Sequence, residues 1–164
     1  MATIDLATKL GAGIAPSVDT VKNPVNFVEV YIDLAAAATA KGSALAAADV
    51  IEAIDLQPGS VVFAAGIEVY TAQTGSTVLT VDLGVTGSDA DAFVDGFDVI
   101  AQAAGVYAAQ PAAFQPIVIG ATADTLDVLI ATLTTTNTGG VLRVWALVGD
   151  VKKRPVPAIA ALRS

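Results

Sequence analysis

VVFAAGIEVYTAQTGSTVLTVDLG, residues 61–84, holds two runs that alternate at period two, separated by Thr74, Gly75 and Ser76. That period puts successive side chains on opposite faces of an extended strand. In the first run, Val61 to Thr71, the set Val61, Phe63, Ala65, Ile67 and Val69 carries no polar atom, while the intervening set includes Glu68 and Tyr70. The first set is expected to face a core. In the second run, Thr77 to Gly84, Leu79, Val81 and Leu83 separate in the same way from Val78, Thr80 and Asp82. The glycine-containing turn between the runs predicts a hairpin.

Working outward, six more segments read as strands: residues 26–34, 50–56, 92–97, 116–120, 124–133 and 140–148. The segment at 26–34 contains Phe27, Val28, Val30, Tyr31 and Ile32 and is apolar on both faces. Gln57, Pro58, Gly59 and Ser60 form a turn signal before Val61, because proline presets φ and glycine accepts positive φ. Asn137, Thr138, Gly139 and Gly140 mark the turn before the last strand. Ala35 to Ala48 has helical composition, yet Gly42 and Ser43 interrupt it and no polar face recurs at helical spacing, which favours a loose loop or hairpin over helix.

Eight strands without long amphipathic helices between them exclude a doubly wound α/β fold. They predict an all-β protein, an eight-stranded antiparallel β-sandwich of jelly-roll type, and no internal repeat points to a solenoid or propeller. Residues 1–24, with Gly11, Gly13, Pro16 and Pro24 and no sustained period, read as an extended N-terminal arm lying outside the sheets. The sandwich is expected over 25–151 and a C-terminal tail over 152–164.

Apolar residues make up 54% of the chain, above the roughly 45–50% of an average soluble domain. Such a surface calls for a partner. The longest apolar stretches are broken by Lys41 and Asp49, short of the roughly 20 residues of a membrane-spanning helix, and Asp5 and Lys9 do not fit a secretory signal. The chain reads as made in a cytoplasm and not as a membrane protein. Acidic residues outnumber basic ones 16 to 8, which repels a phosphate backbone and argues against a nucleic-acid partner. The basic residues cluster only at Lys152, Lys153 and Arg154.

The chain has no histidine and no cysteine. Histidine-based triads, imidazole and thiolate metal ligands and disulfides are thereby removed. Asp89, Asp91, Asp95 and Asp98 form the one acidic cluster. As a glycosidase pair these carboxylates lack an aromatic cleft, and as calcium ligands they miss the EF-hand spacing, because Phe93, Val94 and Asp95 follow Asp91. Aspartates capping turns account for them. Gly84, Gly87 and Gly96 are too scattered for a phosphate-binding loop. No enzyme activity, cofactor or small-molecule substrate is expected.

The last strand carries Leu142, Val144, Ala146 and Val148 on one face and Val141, Arg143, Trp145 and Leu147 on the other. One face of an antiparallel sheet points into its own sandwich. The second is covered either by a loop or the N-terminal arm, or by another subunit, since tryptophan and arginine are enriched at interfaces. In both cases Trp145 is expected to be buried in the assembled protein.

The stretch Ala48 to Val85, ADVIEAIDLQPGSVVFAAGIEVYTAQTGSTVLTVDLGV, resembles head-associated structural proteins of tailed bacteriophages, as do DADAFVDGFDV (Asp89 to Val99), TADTLDVLI (Thr122 to Ile130) and VLRVWALVGDV (Val141 to Val151). The resemblance covers roughly residues 48 to 151 and rests on strand-and-turn patterns. It implies a capsid decoration, or cement, protein: a jelly-roll module that forms a homotrimer on the outer surface of an assembled head and contacts the major capsid protein. Under that implication the candidate interface residues are Val141, Arg143, Trp145 and Leu147 together with Lys152, Lys153, Arg154, Pro155 and Pro157, the tail cations pairing with an acidic capsid rim. A tail or head-fibre component of the virion and a carbohydrate-binding or adhesion sandwich are the competing readings. The latter requires an exposed aromatic platform, for which Tyr31, Tyr70 and Tyr107 look too dispersed in sequence.

Overall fold

A computed structural model describes residues 3–5, 25–85, 87–108 and 116–150. The strands are β1 (Thr3–Asp5), β2 (Val25–Asp33), β3 (Val50–Leu56), β4 (Ser60–Thr74), β5 (Val78–Val85), β6 (Asp89–Asp98), β7 (Val106–Ala108), β8 (Ile117–Val118), β9 (Asp124–Thr134) and β10 (Gly139–Asp150), with a helix α1 (Leu34–Lys41) between β2 and β3. One sheet runs β1-β3-β9-β5-β6 and the other β2-β10-β4-β7, with β8 also pairing β4.

From β2 onward the pairing is nested. β2 pairs with β10, β3 with β9, β4 with β7 and β8, and β5 with β6, and these pairs alternate between the two sheets. A long two-stranded ribbon rolled up on itself gives this order, which is that of a jelly roll. The fold is therefore the all-β sandwich expected from the strand count. The strand expected at 116–120 shrinks to Ile117–Val118, and β7 shares its place beside β4.

Three expectations are corrected. The runs at 61–71 and 77–84 do not form a hairpin, because β4 and β5 lie in different sheets. The Thr74–Ser76 turn crosses between sheets instead, beside the return crossing at Thr135–Thr138. The two crossings clasp each other: Thr138 N–H donates to the Thr74 carbonyl at 2.9 Å, Thr77 N–H to Thr135 Oγ1 at 3.0 Å and Asn137 Nδ2 to Gln73 Oε1 at 3.2 Å. Period two shows that a segment is a strand without showing which strand it pairs with.

Second, residues 34–41 are helical. Asp33 caps the start, its carboxylate accepting from Ala35 N–H at 2.8 Å and Ala36 N–H at 3.1 Å, and Gly42 ends it at φ 80° with its N–H on the Ala38 and Thr39 carbonyls. The glycine read as an interruption is the terminus. Lys41, in the last turn, ion-pairs with the buried Asp49, which also accepts from Ala46 N–H at 2.8 Å.

Third, Thr3–Asp5, assigned to an arm outside the sheets, form a strand parallel to β3, with Thr3 opposite Val50 and Asp5 opposite Glu52. This is the one parallel pair among the described strands. The rest of residues 1–24, and residues 151–164 with Lys152, Lys153, Arg154, Pro155 and Pro157, lie outside the described residues.

The core fills the space between the sheets. Ile32, Ile67, Leu142 and Val144 meet Ile54, Leu83, Phe93, Leu126 and Ile130, all fully buried. The predicted inward face of β10 is inward in full: Leu142, Val144, Ala146 and Val148 are buried. In β4 the expected inward set breaks at its start. Ala65, Ile67 and Val69 join the core, but Val62 replaces Phe63 there, and Phe63 is exposed. The register against β10 shifts between Leu147, opposite Ala64, and Val148, opposite Val62. Phe63 is the extra residue of this β-bulge, and one inserted residue inverts the alternation on one side of it.

Candidate interaction surface

The outer face of the β2-β10-β4-β7 sheet is where Val141, Arg143, Trp145 and Leu147 emerge, each partly buried in the single chain. Residues directly opposite across a strand pair lie on the same face. Tyr31, Arg143, Glu68 and Tyr107 thus form one row across four strands, and Glu29, Trp145 and Gly66 the row beside it.

With Phe27 and Tyr70 beside them, these rows bring five of the chain's nine aromatic side chains to one surface. Phe27, Tyr31, Tyr70 and Tyr107 are all exposed. The Phe27 and Trp145 rings stack with centroids 6.0 Å apart and planes 17° apart; Tyr31 and Tyr70 meet edge to face at 4.9 Å. Phe27, Tyr107, Arg143 and Trp145 line a shallow depression of about 270 Å³. The three tyrosines judged dispersed in sequence are assembled by the sheet, which corrects that expectation.

Arg143 sits at the centre. Its Nε–H and Nη2–H donate to Glu29 Oε2, the former at 2.8 Å, and Nη1–H donates to Glu68 Oε2 at 2.9 Å. Its guanidinium carbon lies 5.8 Å from the Phe27 ring centroid, within cation–π range. The hydrogen bonds to Glu68, then to Glu29, raise the guanidinium's pKa still further above neutrality. One cation held by two carboxylates leaves this part of the face with a net charge of −1.

Two glycines make room for rings. A Cβ on Gly66 would stand 2.6 Å from Trp145 Cζ2, and a Cβ on Gly149 would stand 2.7 Å from Phe63 Cε2. A ring from β10 thus covers the backbone of β4, and a ring from β4 covers the backbone of β10. Aromatic cover of a strand glycine restores the packing that the missing side chain leaves out.

The acidic cluster around β6 is a different kind of site. Asp98 accepts from Ile100 N–H at 2.9 Å and Ala101 N–H at 3.1 Å, closing a turn, and Asp82 accepts from Gly96 N–H at 2.7 Å. Burial, with the charges of Asp95 and Asp91 adding to it against the Gly96 hydrogen bond, raises the Asp82 carboxyl above the ordinary range. A side-chain hydrogen bond with Asp91 raises Asp89. Among the described residues no three acidic side chains converge as metal ligands.

With the sandwich and its outer face defined, its likeness to known structures can be stated. Chains from two phage capsid structures share this fold. A chain from the capsid of Ralstonia phage GP4 superposes with a TM-score of 0.65 at 22% identity, over 92% of this chain and 99% of that one. A chain from the cyanophage Pam1 capsid asymmetric unit does so with a TM-score of 0.58 at 15% identity, over 87% and 96%. No family model matches the sequence, and no curated protein does.

The sequence singles out Val141, Arg143, Trp145 and Leu147 on this candidate surface, and strand pairing sets Phe27, Glu29, Tyr31, Glu68, Tyr70 and Tyr107 beside them. The signal for part of this set was present: Val25, Phe27, Glu29 and Tyr31 alternate along β2. Tyr107 had no such signal, because its strand is three residues long.

Proposed function

We propose that this protein is a structural component of a phage virion, a capsid decoration protein that binds the outer surface of an assembled head as a homotrimer and stabilises it. The observation that carries the reading is the outer face of the β2-β10-β4-β7 sheet, where Trp145, Phe27 and Tyr107 surround an ion-paired arginine. Tryptophan, tyrosine and arginine are the residue types that dominate the energetics of protein interfaces. The sharing of the whole fold with chains from two capsid structures supports the same reading.

The mechanism is mechanical. A protein that binds only the assembled shell stabilises that state by mass action, by about 2.7 kcal/mol per site when its free concentration is a hundred times its Kd. Closed symmetry places each copy's contact surface against its neighbour's, which suits a threefold position between capsid subunits. The partners are then the protein itself and the major capsid protein, and neither nucleic acid nor a membrane takes part.

Addition of purified protein to heads lacking it tests the reading. Saturable occupancy at threefold positions of the outer surface, with a raised temperature of head rupture, is expected. Heads that stay bare at saturating protein refute it.

A further inference from the structure

Among the described residues, one sheet ends in β1 and β6 and the other in β2 and in β7 with β8. β6 carries Asp89, Asp91, Asp95 and Asp98, turns at Gly96 with φ 64°, and twice shifts register against β5. β1, β7 and β8 are three, three and two residues long. Charge, bulges and shortness are the devices that keep a sheet edge from recruiting another strand. β2 has none of them. Its nine residues, Val25–Asp33, contain no proline or glycine, keep an unbroken register with β10, and turn Val28, Val30 and Ile32 inward. We propose that the edge of β2 facing away from β10 pairs with β2 of a second copy, antiparallel across a two-fold axis, so that two sandwiches share one continuous sheet.

Strand addition takes its affinity from main-chain hydrogen bonds along the edge and its selectivity from alternate side chains. The occupant is therefore a strand of similar length with apolar residues at every second position, and β2 is itself such a strand. Of the stretches outside the described residues, 6–24, 109–115 and 151–164, none holds more than seven consecutive residues free of both proline and glycine. Proline cannot donate to a ladder, and glycine weakens a strand.

Register follows from the side chains. A two-fold axis normal to the sheet keeps the core-facing side chains of both copies on the same side, and opposed residues then share a face. Centring the pair on Glu29 sets that residue against its own copy, and centring it on Tyr31 sets Glu29 against the second copy's Asp33. Like charges directly opposite are destabilising. Centring on Val28 places the polar Asn26 against Val30 in the inward row. Centring on Val30 avoids all three: Val30 meets Val30, Val28 meets Ile32 and Glu29 meets Tyr31.

The added strand extends the sheet in its own plane, so it leaves Arg143 and the aromatic depression uncovered. The contact is isologous. It ties one trimer to the next on the reading above and stands without the trimer.

The chain has no cysteine, so a disulfide between introduced cysteines reports this pairing alone. Full-length Glu29→Cys and Tyr31→Cys are oxidised separately and as a mixture. Directly opposite positions lie within disulfide range, whereas diagonal ones, about 7–8 Å apart, fall beyond it. The mixture is expected to yield a band of doubled mass on a non-reducing gel, and each variant alone only the single-chain band. Val30→Cys sits on the axis and leaves the Arg143 ion pairs intact; it is expected to double in mass by itself. Self-crosslinking of Glu29→Cys overturns the register. A doubled band from neither the mixture nor Val30→Cys overturns the pairing, as when the chain's own residues 6–24 or a strand of the capsid shell cover the edge. Sedimentation of the wild type separates this contact from the trimer: a mass of two copies with the crosslink supports the pairing and refutes the trimer, and a mass of three copies without it does the reverse.

Discussion

The Trp145 indole rests on the backbone of Gly66, its register partner across the β10–β4 ladder, so closely that no side chain fits beneath it. The position of the ring at the outer face is thus set by a residue that contributes no atoms of its own to that face. Any side chain on Gly66 must displace the indole or part the strands. Gly66→Ala is expected to destabilise the fold by about 1–3 kcal/mol, the range for forcing extra volume into a packed site. Urea unfolding checks the stability, and a red shift of Trp145 emission in the folded state checks the displacement.

Arg143 bridges carboxylates of unequal burial, since the Glu68 side chain is 9% exposed and that of Glu29 38% exposed. Arg143→Met strands Glu68 near the protein interior and is expected to cost about 2–3 kcal/mol, a little under the range for breaking a fully buried pair. Glu29→Gln acts on the solvated side and is expected to cost at most about 1 kcal/mol. Chemical denaturation of both variants checks the ordering, and equal losses would contradict it.

The ion pair of Lys41 and Asp49 ties the end of α1 to the start of β3. Asp49 is nearly inaccessible and also accepts from Ala46 N–H. Asp49→Ala is expected to lower stability by about 3 kcal/mol, because it leaves a lysine facing a low-dielectric site and an amide without its acceptor. Lys41→Met keeps the stem and the packing and is expected to cost less. Thermal melts of the two variants test the order.

Asp82 gives a pH dependence of definite sign. Its carboxyl titrates higher in the folded protein than in the unfolded chain, so between those two values the native state holds more protons. Stability then falls as pH rises through that interval. Asp82→Asn keeps an oxygen to accept from Gly96 N–H and removes the charge. The variant is expected to be more stable than the wild type at neutral pH, with the advantage shrinking as pH falls below the ordinary carboxylate range. Denaturant midpoints from pH 3 to pH 7, set to span the carboxylate range, test this; a difference that does not change with pH would refute it.

Asp98 and Asp82 spend acceptor oxygens on backbone amides of their own loops. Removal of divalent cations with a chelator is expected to leave the melting temperature unchanged. A lowered midpoint restored by calcium would show that the loop holds a metal.

The two-layer architecture was legible because apolar residues recur at period two along the strands, most strictly as Leu142, Val144, Ala146 and Val148 in β10. Pairing was not legible. The segment from Val61 to Gly84 has every local mark of a hairpin, yet its two strands separate into different sheets, and nothing in the period of a strand encodes its neighbour. The helix was missed because its alanines bury little area, leaving Asp33 and Gly42 as its only marks. Of the candidate interaction surface, the half on β10 could be read from one strand's two faces. The other half could not, because Glu68 and Tyr107 reach Arg143 only through strand order.

The nested pairing also bears on how the chain folds. β2 lies against β10, with Val25 opposite Gly149, so one of the earliest strands made has no partner until nearly the whole sequence has left the ribosome. Few contacts between neighbours in sequence exist to nucleate structure, and closure of such long loops is slow. In the interval the edge of β2, with Phe27 and Tyr31, stands open to any other strand that passes. Completion of the sandwich therefore waits on the last strand, and a lesion in β10 is expected to divert the nascent protein into aggregates.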